Sequence, residues 1–181
     1  MNLVFNFKDE LYWIHNFLPK ELYKDMYTDI VKNRNKLKFK KASIYWKTFS
    51  EEVGDMSQTF NQDNSLKLDY LNKYHTFLKH QNFVNFLNFK FHSYICKYNY
   101  GNHLAWHTDS DQKLYAATFY FNKTWGESWG GELMFKSPKG SGFIPITGNS
   151  LVIVKAGLKH KVNANLKKTH PRFSIQTWVN N

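Results

Sequence analysis

The chain has 181 residues, of which 42% are hydrophobic and 22% charged, and 25 basic against 14 acidic side chains leave a net charge of +11. That composition excludes a charge-rich disordered polymer and suffices for one folded domain with a substantial core. No apolar run is long enough to span a bilayer, and a lone cysteine, Cys96, excludes a disulfide within the chain.

In chain order, the first ten residues lack a basic leader and turn acidic at Asp9 and Glu10, so no signal peptide is expected. With the single cysteine, this points to a reducing, cytoplasmic setting. Residues 1–88 read as mainly helical support. Pro19 before Lys20-Glu21-Leu22 marks a helix start. Leu22, Met26 and Ile30 then recur every four residues, with Tyr23, Tyr27 and Val31 widening the stripe, and the helix frays near Asn33-Arg34-Asn35. The basic run from Lys32 to Lys41 can attract polyanions, but it reads more simply as a solvated face. The stretch 49–64, with several acids and Gly54, reads as an irregular loop. Ser65 caps a second helix whose stripe is Leu68, Leu71, Tyr74 and Leu78, and residues 82–87 add a short helical turn.

From Lys90 the pattern changes to strands, at 90–98, 114–121, 132–135, 142–146, 150–154, 160–162 and 172–179. Turn signals fall at Pro138-Lys139-Gly140-Ser141-Gly142 and Thr147-Gly148-Asn149. Many short strands at this spacing predict a sandwich or barrel. Cys96 reads as a small buried apolar residue and not as a nucleophile. Strand parity places Arg172, Ser174, Gln176 and Trp178 on one face, and Phe173, Ile175 and Thr177 on the other. Ala116, Thr118 and Tyr120 likewise share a face. Both sets can point into one interior, where the small residues leave room for a ligand and Thr118 supplies a hydroxyl.

The most telling segment is Trp106-His107-Thr108-Asp109. In a strand, His107 and Asp109 project to the same side while Thr108 turns away. A second imidazole from His160 would complete two nitrogens and one carboxylate on one face of a metal, leaving the opposite face open, as in non-haem Fe(II) oxygenases. Arg172 suits the far carboxylate of a chelating co-substrate, because its planar fork matches a carboxylate. From residue 91 onward the only acids are Asp109, Asp111, Glu127 and Glu132. A carboxylate two residues from a histidine therefore stands out in a basic, acid-poor half.

These motifs, from about Phe91 to Trp178, resemble the 2-oxoglutarate and Fe(II)-dependent dioxygenase superfamily, specifically its prolyl 4-hydroxylase-like branch. Tyr98 precedes the His107-Thr108-Asp109 motif. Phe119-Tyr120-Phe121-Asn122-Lys123-Thr124-Trp125 resembles the family's Tyr-Leu-Asn-x-x-Trp, and Gly130-Gly131-Glu132-Leu133 its Gly-Gly-Glu-Leu. His160-Lys161-Val162 resembles the distal His-x-Val, and Arg172 to Trp178 the closing strand. The resemblance implies an α+β fold, with a double-stranded β-helix (jelly-roll) core over about 89–181 and the N-terminal helices packed on one sheet. It implies His107, Asp109 and His160 as catalytic iron ligands, and Arg172, Tyr98 and Tyr120 as co-substrate residues, to which strand parity adds Thr118. Trp125, Trp129 and Trp178 are candidate substrate contacts. The cofactors implied are Fe(II), 2-oxoglutarate and O2, with ascorbate as a supporting reductant.

The resemblance also implies the reaction. Oxidative decarboxylation of 2-oxoglutarate to succinate and CO2 drives hydroxylation of a peptide or protein at proline. Relatives that halogenate lack the carboxylate that Asp109 supplies, so hydroxylation is favoured. Nucleic-acid dealkylases carry a second arginine on the last strand, absent here, so a nucleic-acid substrate is not favoured. Three alternatives remain: a hydroxylase of a free amino acid or other small molecule, a non-catalytic cupin-like metal module, and a basic nucleic-acid-binding barrel. No membrane partner is expected.

Overall fold

The computed structural model describes residues 2–32, 39–41, 55–57, 65–80, 84, 86–109 and 112–180. Residues 33–38 of the basic run, most of the 49–64 loop, residues 82, 83 and 85, and Ser110-Asp111 lie outside the described residues, as do the side chains of Ser65 and Leu68.

The chain opens with strands, contrary to the helical reading of its first third. Strands β1 (Asn2–Phe7) and β2 (Leu11–His15) form a hairpin whose turn places Lys8 and Asp9 at φ 47° and 59°. Asn6 and Asp9 stabilise it: the Asp9 amide donates to Asn6 Oδ1 at 2.9 Å. Short apolar runs like Leu11–Ile14 do not declare their own period. This one becomes a strand because it pairs with a partner far downstream, Ile14 opposite Leu151. Two more short strands, β3 (Lys40–Lys41) and β4 (Asp55–Ser57), occupy the end of the basic run and part of the expected loop.

Helix α1 (Lys20–Tyr27) passes into a π-helical turn at Thr28–Lys32, and α2 spans Ser65–Lys79. The later strands are β5 (Lys90–Tyr98), β6 (Leu104–His107), β7 (Lys113–Tyr120), β8 (Leu133–Ser137), β9 (Gly140–Ile144), β10 (Ser150–Lys155), β11 (Lys159–Val162) and β12 (Arg172–Asn180). All but β6 lie within two residues of their expected limits. Residues 86–89 form a turn, not helix, closed by the Phe89 amide on the Phe86 carbonyl at 3.2 Å.

The strands form two antiparallel sheets. The major sheet runs β1-β2-β10-β7-β12-β5-β4-β3, and the minor sheet runs β6-β11-β8-β9. Alternation along β12 sorts the interior into two cores. Phe173, Ile175 and Val179 face the helices and pack with Met26, Ile30, Leu71, Tyr74 and Leu78. Trp178 faces the other way, with Tyr98, Ala116 and Tyr120, against Leu104, Leu133, Phe135 and Val162 of the minor sheet. Helices on one side leave the other side of the major sheet free to close over a cavity with the minor sheet. No described helix is long and apolar enough to cross a membrane.

His75 of α2 is held in the helix-facing core, Nε2 2.8 Å from Ser93 Oγ and its ring 4.9 Å from Phe91. Burial, with Lys79 adding to it, pushes its pKa down to about 4 from an ordinary 6.5. The unfolded chain therefore takes up this proton first as pH falls. The stability His75 contributes is complete above about pH 6.5 and is lost on the way down toward about pH 4. Thermal melts across that window should show a steeper acid loss of Tm in the wild-type chain than in His75→Gln.

Candidate active site

The two sheets enclose a cavity of about 310 Å³. Strand β12 runs along it, from Arg172 at one end to Trp178 at the other, with Ser174 and Gln176 between and all four side chains lining it. Strand β7 lies beside it in register, Tyr120 opposite Ser174, Thr118 opposite Gln176 and Ala116 opposite Trp178. Leu104, Leu133, Val154 and Val162 give the walls an apolar surface.

At the Trp178 end stand His107, Asp109 and His160. Register pairs His107 of β6 directly with His160 of β11, and their ring centroids are 4.2 Å apart. His107 Nδ1 donates to the Ala105 carbonyl at 2.9 Å, and His160 Nδ1 to the Leu158 carbonyl at 2.8 Å. Each ring is thus oriented by the carbonyl two residues before it and presents Nε2 as its other nitrogen. Burial and the neighbouring His160 push the His107 pKa down, only partly offset by the Ala105 carbonyl and Asp109, so its neutral form is favoured.

Asp109 does not share a strand face with His107. The strand ends at His107, where pairing with β11 runs out, and Thr108 and Asp109 lie in the loop beyond. Tertiary contacts bring the carboxylate back. Trp178 Nε1 donates to Asp109 Oδ1 at 3.1 Å and Lys113 Nζ to the same oxygen at 3.2 Å, while Oδ2 lies 3.8 Å from His160 Nε2. The three side chains therefore meet at one end of the cavity. They do not form a closed ligand cluster: among the described residues, no three His, Cys, Asp or Glu side chains stand as a ready metal-holding group.

At the opposite end Arg172 is 2% exposed. Its Nη1 donates to the Gly131 carbonyl at 2.8 Å, and its guanidinium lies 4.2 Å from the Tyr98 ring centroid. No described carboxylate pairs with it. Arg172 Nε, Tyr120 Oη and Ser174 Oγ are buried without hydrogen-bond partners. Burial pushes the Tyr98 and Tyr120 phenols up, Arg172 pulling each partway back, so both keep their protons and remain donors. Gly130 and Gly131, at φ 70° and 80°, make the turn that brings this carbonyl to the arginine; a Cβ on Gly130 would lie 2.1 Å from the Ala164 carbonyl oxygen.

Between the two ends Thr118 Oγ1 donates to Gln176 Oε1 at 2.6 Å, so its hydroxyl proton orients the amide. Cys96 lines the cavity, with a thiol that burial pushes up to about 12. It is an inert wall residue.

The expected substrate tryptophans separate. Trp178 lines the cavity, with its indole N–H on Asp109. Trp125 and Trp129 do not line it. Trp125 Nε1 donates to the Gly130 carbonyl at 2.8 Å, which closes the turn behind Arg172, and Trp129 packs on His170 and beneath Lys167. Sequence reasoning also passed over Ser174 as a polar group for the arginine end, although its parity with Arg172 was visible. It did not anticipate the bond from Lys113 to Asp109, which nothing in the local sequence marks.

A sequence profile described as the 2OG-Fe(II) oxygenase superfamily matches residues 89–180, the strands and loops that build this cavity. No curated protein sequence matches the chain. Among solved structures, a Pseudomonas putida prolyl-4-hydroxylase is similar over 95% of this chain and 93% of its own, with a TM-score of 0.68 at 16% identity. A Trichoplax adhaerens prolyl hydroxylase, solved with a peptide fragment of a hypoxia inducible factor oxygen degradation domain, is similar over 94% of this chain and 83% of its own. Its TM-score is 0.75 at 14% identity. The epimerase SnoN of nogalamycin biosynthesis, a non-heme alpha ketoglutarate dependent enzyme, is similar over 95% of this chain and 78% of its own, with a TM-score of 0.65 at 10% identity.

Proposed function

Because the chain belongs to the 2OG-Fe(II) oxygenase superfamily, we propose that it hydroxylates prolyl residues of a peptide or protein. In this reading His107, Asp109 and His160 hold Fe(II), and Arg172 holds 2-oxoglutarate. The observation that carries the reading is the unpaired cation. A guanidinium 2% exposed, with no described carboxylate against it, is costly unless an anion completes it. The unpartnered Arg172 Nε, Tyr120 Oη and Ser174 Oγ supply donors to that anion. A dicarboxylate would place one end on these donors and the other toward His107, Asp109 and His160, which line the same cavity.

The donor set suits Fe(II): two imidazoles whose Nδ1 protons are fixed on carbonyls, and one carboxylate. Bound there, Fe(II) supplies the redox chemistry that couples O2 to decarboxylation and C–H oxidation. The protein's own work is positional. The Tyr98 ring beneath Arg172 and the Gly131 carbonyl on its Nη1 fix the plane of the fork. The Thr118 hydroxyl holds the Gln176 amide across the middle of the cavity. Apolar walls keep bulk water from the reacting atoms.

The peptide assignment is supported by the prolyl hydroxylases among the structural neighbours, one of them with a bound peptide. The test is a peptide-library incubation with Fe(II), 2-oxoglutarate and O2, read as a mass gain of one oxygen, with free proline as a parallel arm. Oxygen gain at proline in peptides is the expected result. Gain on free proline alone would move the substrate to a small molecule, and failure to form any succinate would remove the oxygenase reading.

A further inference from the structure

We propose that Lys113 is a positioning residue for Asp109. With Trp178 it holds Oδ1, so that Asp109 offers Oδ2 alone to the metal. The inference rests on the iron reading above and concerns how that site is kept open.

The two oxygens of Asp109 have different surroundings. Oδ1 takes two donors, Trp178 Nε1 at 3.1 Å and Lys113 Nζ at 3.2 Å. Oδ2 takes neither and faces His160 Nε2 at 3.8 Å. The lysine is itself seated, its Nζ 4.3 Å from the centroid of the Trp178 ring. The pair is shielded, with side-chain exposures of 25% for Lys113 and 10% for Asp109. A carboxylate whose Oδ1 is held by two charge-assisted hydrogen bonds, one from a neutral indole and one from an ammonium, must break both to turn that oxygen toward an ion.

The consequence is a matter of counting. An octahedral ion that takes two imidazoles and one carboxylate oxygen keeps three positions. A chelating 2-oxo acid uses two of them and leaves one open. If Asp109 bound through both oxygens, the chelate would fill the remainder. Lys113 therefore acts in two opposed senses. Its positive charge weakens the attraction of the site for a divalent cation, and its hydrogen bond keeps the carboxylate to one oxygen. Removing it gives a site that grips metal harder and turns over more slowly. A lysine that merely propped the loop would produce the opposite metal effect when removed.

The test measures Mn(II) affinity by electron paramagnetic resonance of the free ion, beside succinate formation with Fe(II). It uses the full chain, Lys113→Met and Lys113→Arg, with Lys113→Gln as a second neutral variant. The neutral variants should bind Mn(II) about threefold to tenfold more tightly and form succinate on the order of 10-fold more slowly. Lys113→Arg, which keeps the charge and a donor, should stay within about threefold of the wild-type chain on both measures. Weaker Mn(II) binding in the neutral variants overturns the proposal in favour of a structural prop, and unchanged succinate formation overturns it outright. A wild-type chain that binds no Mn(II) overturns the iron reading itself, a result distinct from either.

Discussion

Asp109→Asn is expected to abolish Fe(II)-dependent succinate formation, a fall of at least about 1,000-fold, while leaving the fold intact. The reasoning separates charge from packing. Asparagine keeps an oxygen for Trp178 Nε1 and Lys113 Nζ, the two donors that now meet at Oδ1. Thermal unfolding of the variant should therefore stay within about 2 °C of the wild-type chain, as a change of a few tenths of a kcal/mol would give. The anionic oxygen near His160 is lost, and with it the one carboxylate in the proposed ligand set. An Asn variant that binds Mn(II) and forms succinate at the wild-type rate would remove Asp109 from the metal site.

Arg172→Met should act at the other end of the cavity and in a different measurement. The half-saturating 2-oxoglutarate concentration should rise on the order of 100-fold, the loss of about 3 kcal/mol of charge-assisted hydrogen bonding. Maximal succinate formation should change far less. Stability without ligand should hold or rise, because the substitution removes a buried cation that no described carboxylate balances and replaces it with an apolar side chain of similar length. The stabilisation gained from added 2-oxoglutarate should disappear. In the wild-type chain it should reach about 2.7 kcal/mol at 100 times the dissociation constant and grow with the logarithm of concentration beyond that. A variant still stabilised as strongly by 2-oxoglutarate would mean that Arg172 does not bind it.

Much of the cavity was legible from periodicity alone. Along Arg172–Val179 the alternation that sends Phe173 and Ile175 to the helices and Arg172 and Ser174 to the cavity is a property of a pleated strand, and the structure shows the same division. The stripe of Met26 in α1 and Ile30 in the π-helical turn after it was visible because residues four apart fall on one helical face. The hairpin of β1 and β2 was not. Its partner is β10, and a run such as Leu11-Tyr12-Trp13-Ile14 carries no local mark of a strand that lies so far along the chain.

The candidate site divides in the same way. Residue type and order were enough to single out His107, Asp109, His160 and Arg172, because this half of the chain has few acids and, downstream of His107, only His160 and His170 as further histidines. How they stand relative to one another was decided elsewhere. Asp109 lies beyond the end of its strand and is turned back by Trp178 and Lys113, which are 69 and four residues away. Trp125, read as a substrate contact, closes the turn behind Arg172 through its bond to Gly130. The amino-acid order by itself determined which chemistry the chain can carry and which strand faces bear it, since both follow from residue identity and a two-residue repeat. Only the tertiary structure decided which atoms of those side chains are committed and which are left open, since hydrogen bonds between distant segments form once the two sheets have closed on each other.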